Sequence, residues 1–212
     1  MRALTMTQTH QQPLSDSDIS EVAKEFLKEL SRCGYATFGE DCLDDARQKA
    51  AAFVDDMAKQ HKPRWLSFVG RSGTGKTFLA TQIFNFVVKN VAKNFKIYGE
   101  NTVYSGDCIA TTADRLAQMW RANKSADSSQ FVQADLLLLD DIGTTADRSG
   151  FITDAMYSLL SRRMGKWTLI TSNLTFAGIS EQFDERLADR MIRLDNAVCK
   201  MDCKSFSRRR SI

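Results

Sequence analysis

The sequence predicts an α/β protein built on a central parallel sheet, and three observations carry that prediction. From Trp65 onward, short apolar runs alternate with amphipathic helical stretches. The run "LLLLD" (136–140) is apolar on both faces, as a strand covered by helices on both sides must be. A glycine-rich turn, "GRSGTGKT", follows one apolar run and opens a helix.

Ahead of that core, residues 1–60 read as a small helical region. "SDSD" from Ser15 has a capping-box pattern, Val22, Phe26, Leu27 and Leu30 share one face, and Gly34 supplies a stop. A second helix is predicted over 41–59, with Leu43, Ala46, Ala50, Phe53 and Met57 on one side, and Pro63 ends it. The expected strands are 65–69, a segment within 96–110, 136–140, 167–171 and "MIRL" (191–194). Helices fall at 76–91, 112–122, 150–163 and 179–189, and "NKSADSSQ" (123–130) reads as a polar loop. Trp120 is expected in the core rather than stacked on a nucleobase.

Composition narrows the class. The chain has 212 residues, 43% hydrophobic and 26% charged, which suits one domain with a substantial core. No apolar run approaches the ~18 residues that cross a membrane. "MRALTMTQTHQQ" reads as a polar, frayed tail rather than a signal peptide. Five cysteines (33, 42, 108, 199, 203) form no CxxC pair, and His10 and His61 lie far from the close pair Cys199 and Cys203. Reduced thiols and a cytoplasmic location are the expectation. Residues 15–60 hold eleven acidic and six basic residues, a net −5, so the remainder carries +8 against a chain total of +3. An acidic front and a basic body suggest a protein partner for the first and a polyanion for the second.

The chemistry gathers in four segments. Gly70-x4-Gly75-Lys76-Thr77 is a phosphate-binding loop, placed between strand and helix as that pattern requires. Its glycines let the backbone wrap an anion, so successive N–H groups and the helix N-terminus face it. The binding set is Gly70, Arg71, Ser72, Gly73, Thr74, Gly75, Lys76, Thr77 and Phe78. Lys76 would reach the β- and γ-phosphates, and Thr77 and Asp140 would hold Mg²⁺. Asp141 would orient or deprotonate the attacking water, a place more often filled by Glu. Asn173, ending "WTLITSN", would hold that water or the γ-phosphate from a neighbouring strand tip. Arg186 and Arg190 in "ERLADRM" stand one helical turn apart; they suit either a cationic finger offered to another subunit's nucleotide or a surface helix paired with Glu185 and Asp189.

Taken together, "GRSGTGKTFLA", "ADLLLLDDIG", "LLSRRMGKWTLITSNL" and "FDERLADRM" resemble the DnaC/IstB-like helicase-loader group of AAA+ ATPases, over roughly residues 62–195. The resemblance implies a P-loop NTPase fold with strand order 5-1-4-3-2. It implies ATP and Mg²⁺ as ligands, Asn173 as sensor 1, and Arg190 as the arginine finger with Arg186 beside it. It divides the chain into a helical adaptor (1–60) and an AAA+ domain (61–212) without a C-terminal lid. Residues 1–60 lack the cysteine–histidine zinc module of some loaders. The implied partners are a replicative DNA helicase, single-stranded DNA and further copies of the chain, with no membrane. DNA contacts would come from Arg115, Arg121 and Lys124, and "SRRRSI" (207–212) either touches DNA or is solvated. The same core also suits a transposition ATPase acting on duplex DNA, and Asp141 in place of Glu keeps open a module that holds nucleotide without turnover.

Overall fold

The computed structural model describes residues 19–91, 108–123, 126–143, 147, 150–183, 185–193 and 196–206. Along them run α1 (Glu21–Arg32), α2 (Asp41–Ala58), β1 (Trp65–Val69), α3 (Lys76–Asn90), β2 (Cys108–Thr112), α4 (Ala113–Ala122) and α5 (Ser129–Gln133). There follow β3 (Leu136–Ile142), α6 (Phe151–Arg162), β4 (Trp167–Ser172), α7 (Phe176–Gln182), α8 (Glu185–Ile192) and β5 (Ala197–Lys200). The strands form one parallel sheet in the order β2-β3-β4-β1-β5, the expected order met from its other edge.

Alternation along the strands divides the core in two. Leu66, Phe68, Leu136, Leu138 and Leu169 join the side chains of α1, α2 and α3 on one face. Trp65, Val69, Leu137, Leu139 and Ile170 join α4 to α8 on the other. This two-sided burial is why the strands read as unbroken apolar runs. Trp120 is buried, its indole N–H donating to Ser128 Oγ at 3.0 Å.

Several boundaries differ from the sequence reading. Met191 and Ile192 of "MIRL" are helical, not extended: Leu187, Ala188 and Met191 recur at helical spacing and are buried together, so α8 runs to Ile192. The strand comes later, at Ala197–Lys200, and Asn196 sets it there. Its Oδ1 accepts from Trp65 N at 3.0 Å and its Nδ2 donates to Arg190 O at 2.9 Å, tying the end of α8 to the start of β1. The single helix expected at 179–189 is two helices, and the loop 123–130 runs into the short α5. The first described helix starts at Ser20, whose Oγ accepts from Ala23 N; the pattern at Ser15 lies outside the described residues. So do the 96–107 portion of the second strand segment, Lys124 and "SRRRSI".

Helices α1 and α2 are locked to each other and to the sheet. Lys49 of α2 donates to Val198 O on β5 at 2.8 Å. Asp55 accepts from Ser20 N at 2.8 Å and from Lys59 Nζ at 2.7 Å. Burial alone would raise the Asp55 pKa, but the hydrogen bonds from Lys59 and Ser20 outweigh it and hold the carboxyl below its ordinary 3.8. A folded value below the unfolded one contributes stability above the unfolded pKa, and that stability is lost as pH falls through the folded value. Asp55→Asn should therefore cost about 1 kcal/mol near neutrality. The gap to the native chain should close as pH falls below 3.8, as urea unfolding at a series of pH values will report.

Arg163, just past α6, is fully buried. Its Nη1 donates to Phe131 O at 2.7 Å and Ala134 O at 2.8 Å, its Nε to Thr168 Oγ1 at 3.0 Å and its Nη2 to Trp167 O at 2.5 Å. One guanidinium thus pins α5, the approach to β3 and the start of β4. Burial pulls its pKa down to about 10, which leaves it charged at neutral pH.

Candidate nucleotide-binding site

The loop Gly70–Gly75 crosses the carboxyl end of β1 and delivers its chain into α3, whose first residues are Lys76, Thr77 and Phe78. Gly73 (φ 78) and Gly75 (φ 93) sit in the left-handed region, and their missing side chains leave room for the segment after β5. A Cβ on Gly73 would strike Ser205, and one on Gly75 would come within 2.9 Å of the Phe206 ring. That segment is fastened across the loop by Met201 N donating to Val69 O at 2.7 Å and Phe206 N donating to Gly73 O at 2.8 Å. Thr74 is buried beneath the turn and donates to Arg71 O at 3.0 Å.

Lys76 Nζ donates to Gly70 O at 2.8 Å and Arg71 O at 2.6 Å, so its charge is held over the mouth of the loop. Burial lowers its pKa from the ordinary value, against the pull of Asp141, Cys203, Asp140 and Asp202. Thr77 Oγ1 donates to Asp140 Oδ1 at 2.9 Å, joining the start of α3 to β3. Asp140 also accepts from Thr171 Oγ1 on β4. A hydroxyl and a carboxylate so close form the all-oxygen donor pair that suits Mg²⁺.

Asp141 is shaped by a break in the ladder. The β3–β4 register shifts between Leu139 and Ile142, and Asp141 adopts φ 63. For a residue other than glycine that conformation costs about 1–3 kcal/mol, and such strain gathers at functional sites. Asp141 N donates to Thr171 Oγ1 at 2.9 Å, and Asn173 Nδ2 donates to Asp141 Oδ1 at 2.7 Å. The carboxylate is aimed from the neighbouring strand tip, where Asn173 was expected.

These groups line one cavity of about 620 Å³: Ser72, Gly73, Gly75, Lys76, Thr77, Phe78, Asp140, Asp141 and Asn173 face it, while Gly70, Arg71 and Thr74 shape the loop behind. Sequence reasoning missed its other wall, formed by Cys33, Gly34, Tyr35 and Phe206. Tyr35 lies parallel to Phe78, with ring centroids 6.4 Å apart, and 6.1 Å from Phe206. Its hydroxyl donates to Leu43 O at 3.3 Å, and burial, followed by the nearby thiols, pushes its pKa up, so it stays protonated. An apolar, aromatic wall opposite a phosphate-binding loop suits a flat base. Gly34 after a helix read only as a stop, and nothing local to Tyr35 or Phe206 shows that the fold unites them.

Arg186 and Arg190 do not line this cavity. Both lie against Tyr157 of α6, at 4.7 and 5.5 Å from its ring centroid, and Arg190 donates to the Tyr157 hydroxyl at 3.1 Å. Of the surface-helix alternative, which paired these arginines with Glu185 and Asp189, the structure shows Arg186–Asp154 at 3.6 Å instead, and Asp189 pairs with Arg193 at 3.1 Å.

Sheet order and phosphate loop together define a P-loop nucleotide-binding protein of the AAA+ class. Residues 44–210 match the family of IstB-like ATP binding proteins, and the chain belongs to that family. The replicative helicase loader DnaC of Buchnera aphidicola subsp. Schizaphis graminum is 27% identical over 166 residues, covering 73% of this chain and 61% of the loader. The chain thus spans about 61% of the length of that curated relative. Among solved structures, DnaI superposes with a TM-score of 0.58 at 19% identity, covering 86% of this chain and 92% of DnaI. The DnaC helicase loader superposes with a TM-score of 0.54 at 17% identity, covering 73% of this chain and 89% of the other. At such identities these structures share the fold. Among the described residues no helix is long and apolar enough to cross a membrane.

Proposed function

We propose that this protein is an ATPase that loads a replicative DNA helicase onto single-stranded DNA, with each ATP held at the boundary between neighbouring copies of the chain. The reading rests chiefly on the convergence of Lys76, Thr77, Asp140, Asp141 and Asn173 on one cavity in a chain whose curated relatives are helicase loaders. Lys76 and the Gly70–Gly75 amides bind the phosphates, and Tyr35, Phe78 and Phe206 pack on the base. Asn173 orients Asp141, and Asp141 orients the attacking water and takes its proton. Thr77 and Asp140 would hold Mg²⁺, which when bound neutralises phosphate charge. Arg190, with Arg186 beside it, reaches the nucleotide of the adjacent copy. Its contact with Tyr157, outside the lining of its own chain's cavity, supports that assignment. Residues 1–60, acidic on balance, form the helicase-binding region, and 61–212 form the motor. Arg115, Arg121 and Lys124 supply positive charge toward DNA, and the protein works in the cytoplasm.

Phosphate release by the purified protein, with and without single-stranded DNA and a replicative helicase, tests this. Lys76→Ala and Asp140→Asn should each lower turnover at least about 100-fold; unchanged turnover in both would end the ATPase reading. Helicase capture that strengthens with ATP supports the loader. The family match also favours a second reading, an ATPase that directs a transposase on duplex DNA. Preference for duplex over single-stranded DNA, with no helicase capture, would replace the first reading by the second.

A further inference from the structure

Next to the nucleotide cavity, and unused by it, lie two thiols and a carboxylate brought together from opposite ends of the chain. The ligand atoms of Glu40, Cys42 and Cys203 lie within 4.8 Å of one another. Cys42 Sγ is 3.9 Å from Glu40 Oε2. In a tetrahedral zinc site with metal–sulfur bonds of about 2.3 Å, neighbouring donors stand about 3.7 Å apart, so small side-chain rotations close the gap. Glu40 occupies the N-cap position of α2, two residues before Cys42, so the start of that helix carries both of its donors. Cys203 is buried, and Cys42 and Glu40 are half-buried, which leaves a path for an ion to enter.

We propose that Glu40, Cys42 and Cys203 form a zinc-binding site that clamps the segment after β5 to the start of α2. Two soft sulfur donors and one carboxylate select zinc over magnesium or calcium, and the fourth position falls to water. The consequence follows from where Cys203 sits. It lies inside the Met201–Phe206 segment, which is hydrogen-bonded to Val69 and Gly73 and lays Phe206 over Gly75. Zinc here would staple the strap that covers the phosphate loop. This site is independent of the ATPase reading, because none of its three residues has a role there.

The test uses the whole 212-residue chain, stripped with a chelator and titrated with Co²⁺ and then Zn²⁺ without nucleotide. One equivalent of Co²⁺ should produce a sulfur-to-cobalt charge-transfer band in the near ultraviolet, which Zn²⁺ then abolishes by displacement. An ion held only by the oxygens of Thr77 and Asp140 gives no such band. Cys42→Ser and Cys203→Ser should each weaken zinc binding at least about tenfold and cancel the rise in melting temperature that zinc gives the native chain. Cys33→Ser, an exposed thiol outside the cluster, should retain both. A native chain that yields no sulfur band overturns the proposal whatever the variants do, and so does undiminished zinc binding by the Cys42→Ser, Cys203→Ser double variant.

Discussion

Arg190→Ala should lower ATP turnover by about 10³-fold or more, the usual cost of losing an arginine that stabilises phosphoryl transfer from a neighbouring subunit. ATP affinity measured on isolated monomers should stay within about twofold. The split follows from position: Arg190 rests on Tyr157 and does not line its own chain's cavity. Because the Tyr157 contact gives the residue a packing role too, melting temperature must be recorded alongside. A mixing experiment separates the two roles without depending on the variant's stability. On the proposed reading, Arg190→Ala lacks the finger but keeps its loop, and Lys76→Ala lacks the loop lysine but keeps its finger. If the sites are shared head to tail, an equal mixture makes about a quarter of its interfaces complete, and turnover returns to that degree. If the arginine acts within its own chain, mixing two dead proteins yields nothing.

Legibility in the sequence followed the range of the interactions involved. The phosphate loop, the β3 acids and Asn173 were readable because each sits where a strand ends, and the strands are bounded by contiguous apolar runs. β5 was misplaced because its signal is weak. "AVCK" is a short edge strand that, among the described residues, pairs with β1 alone, whereas "MIRL" is a short, mostly apolar run and so imitates a strand. The features that decide between them are not local: Leu187, Ala188 and Met191 meeting one core, and Asn196 bridging Trp65 and Arg190. The aromatic wall was hidden for the same reason, since Tyr35 and Phe206 come together only when the segment after β5 crosses the phosphate loop. The cysteine cluster was hidden in the same way: the five thiols are free, as expected, but the chain places Cys203 near Cys199 while the fold sets it beside Cys42.

Arg163 carries the largest expected stability effect, and nothing in "LLSRRMGKW" distinguishes it from Arg162 until the fold is seen. Arg163→Met keeps much of the volume but leaves the carbonyls of Phe131, Ala134 and Trp167 without their donors in a buried place. Each buried acceptor left without a donor costs about 1–3 kcal/mol, so the three together cost about 3–5 kcal/mol once the relief of a buried charge is set against them. At about 2–4 °C per kcal/mol for a chain of this size, the melting temperature should fall by roughly 10 °C. Arg163→Lys keeps the charge but offers one compact donor group where a planar fork now spans separate acceptors, so it should recover only part of the loss. A methionine variant that melts with the native chain would mean the guanidinium is held by the fold and does not hold it. The effect should also stay away from the chemistry. Arg163 anchors the entry ends of β3 and β4, while Asp140, Asp141 and Asn173 occupy the exit ends of the same strands. Below its lowered melting temperature the variant should therefore bind ATP with native affinity, separating what steadies the sheet from what the sheet presents.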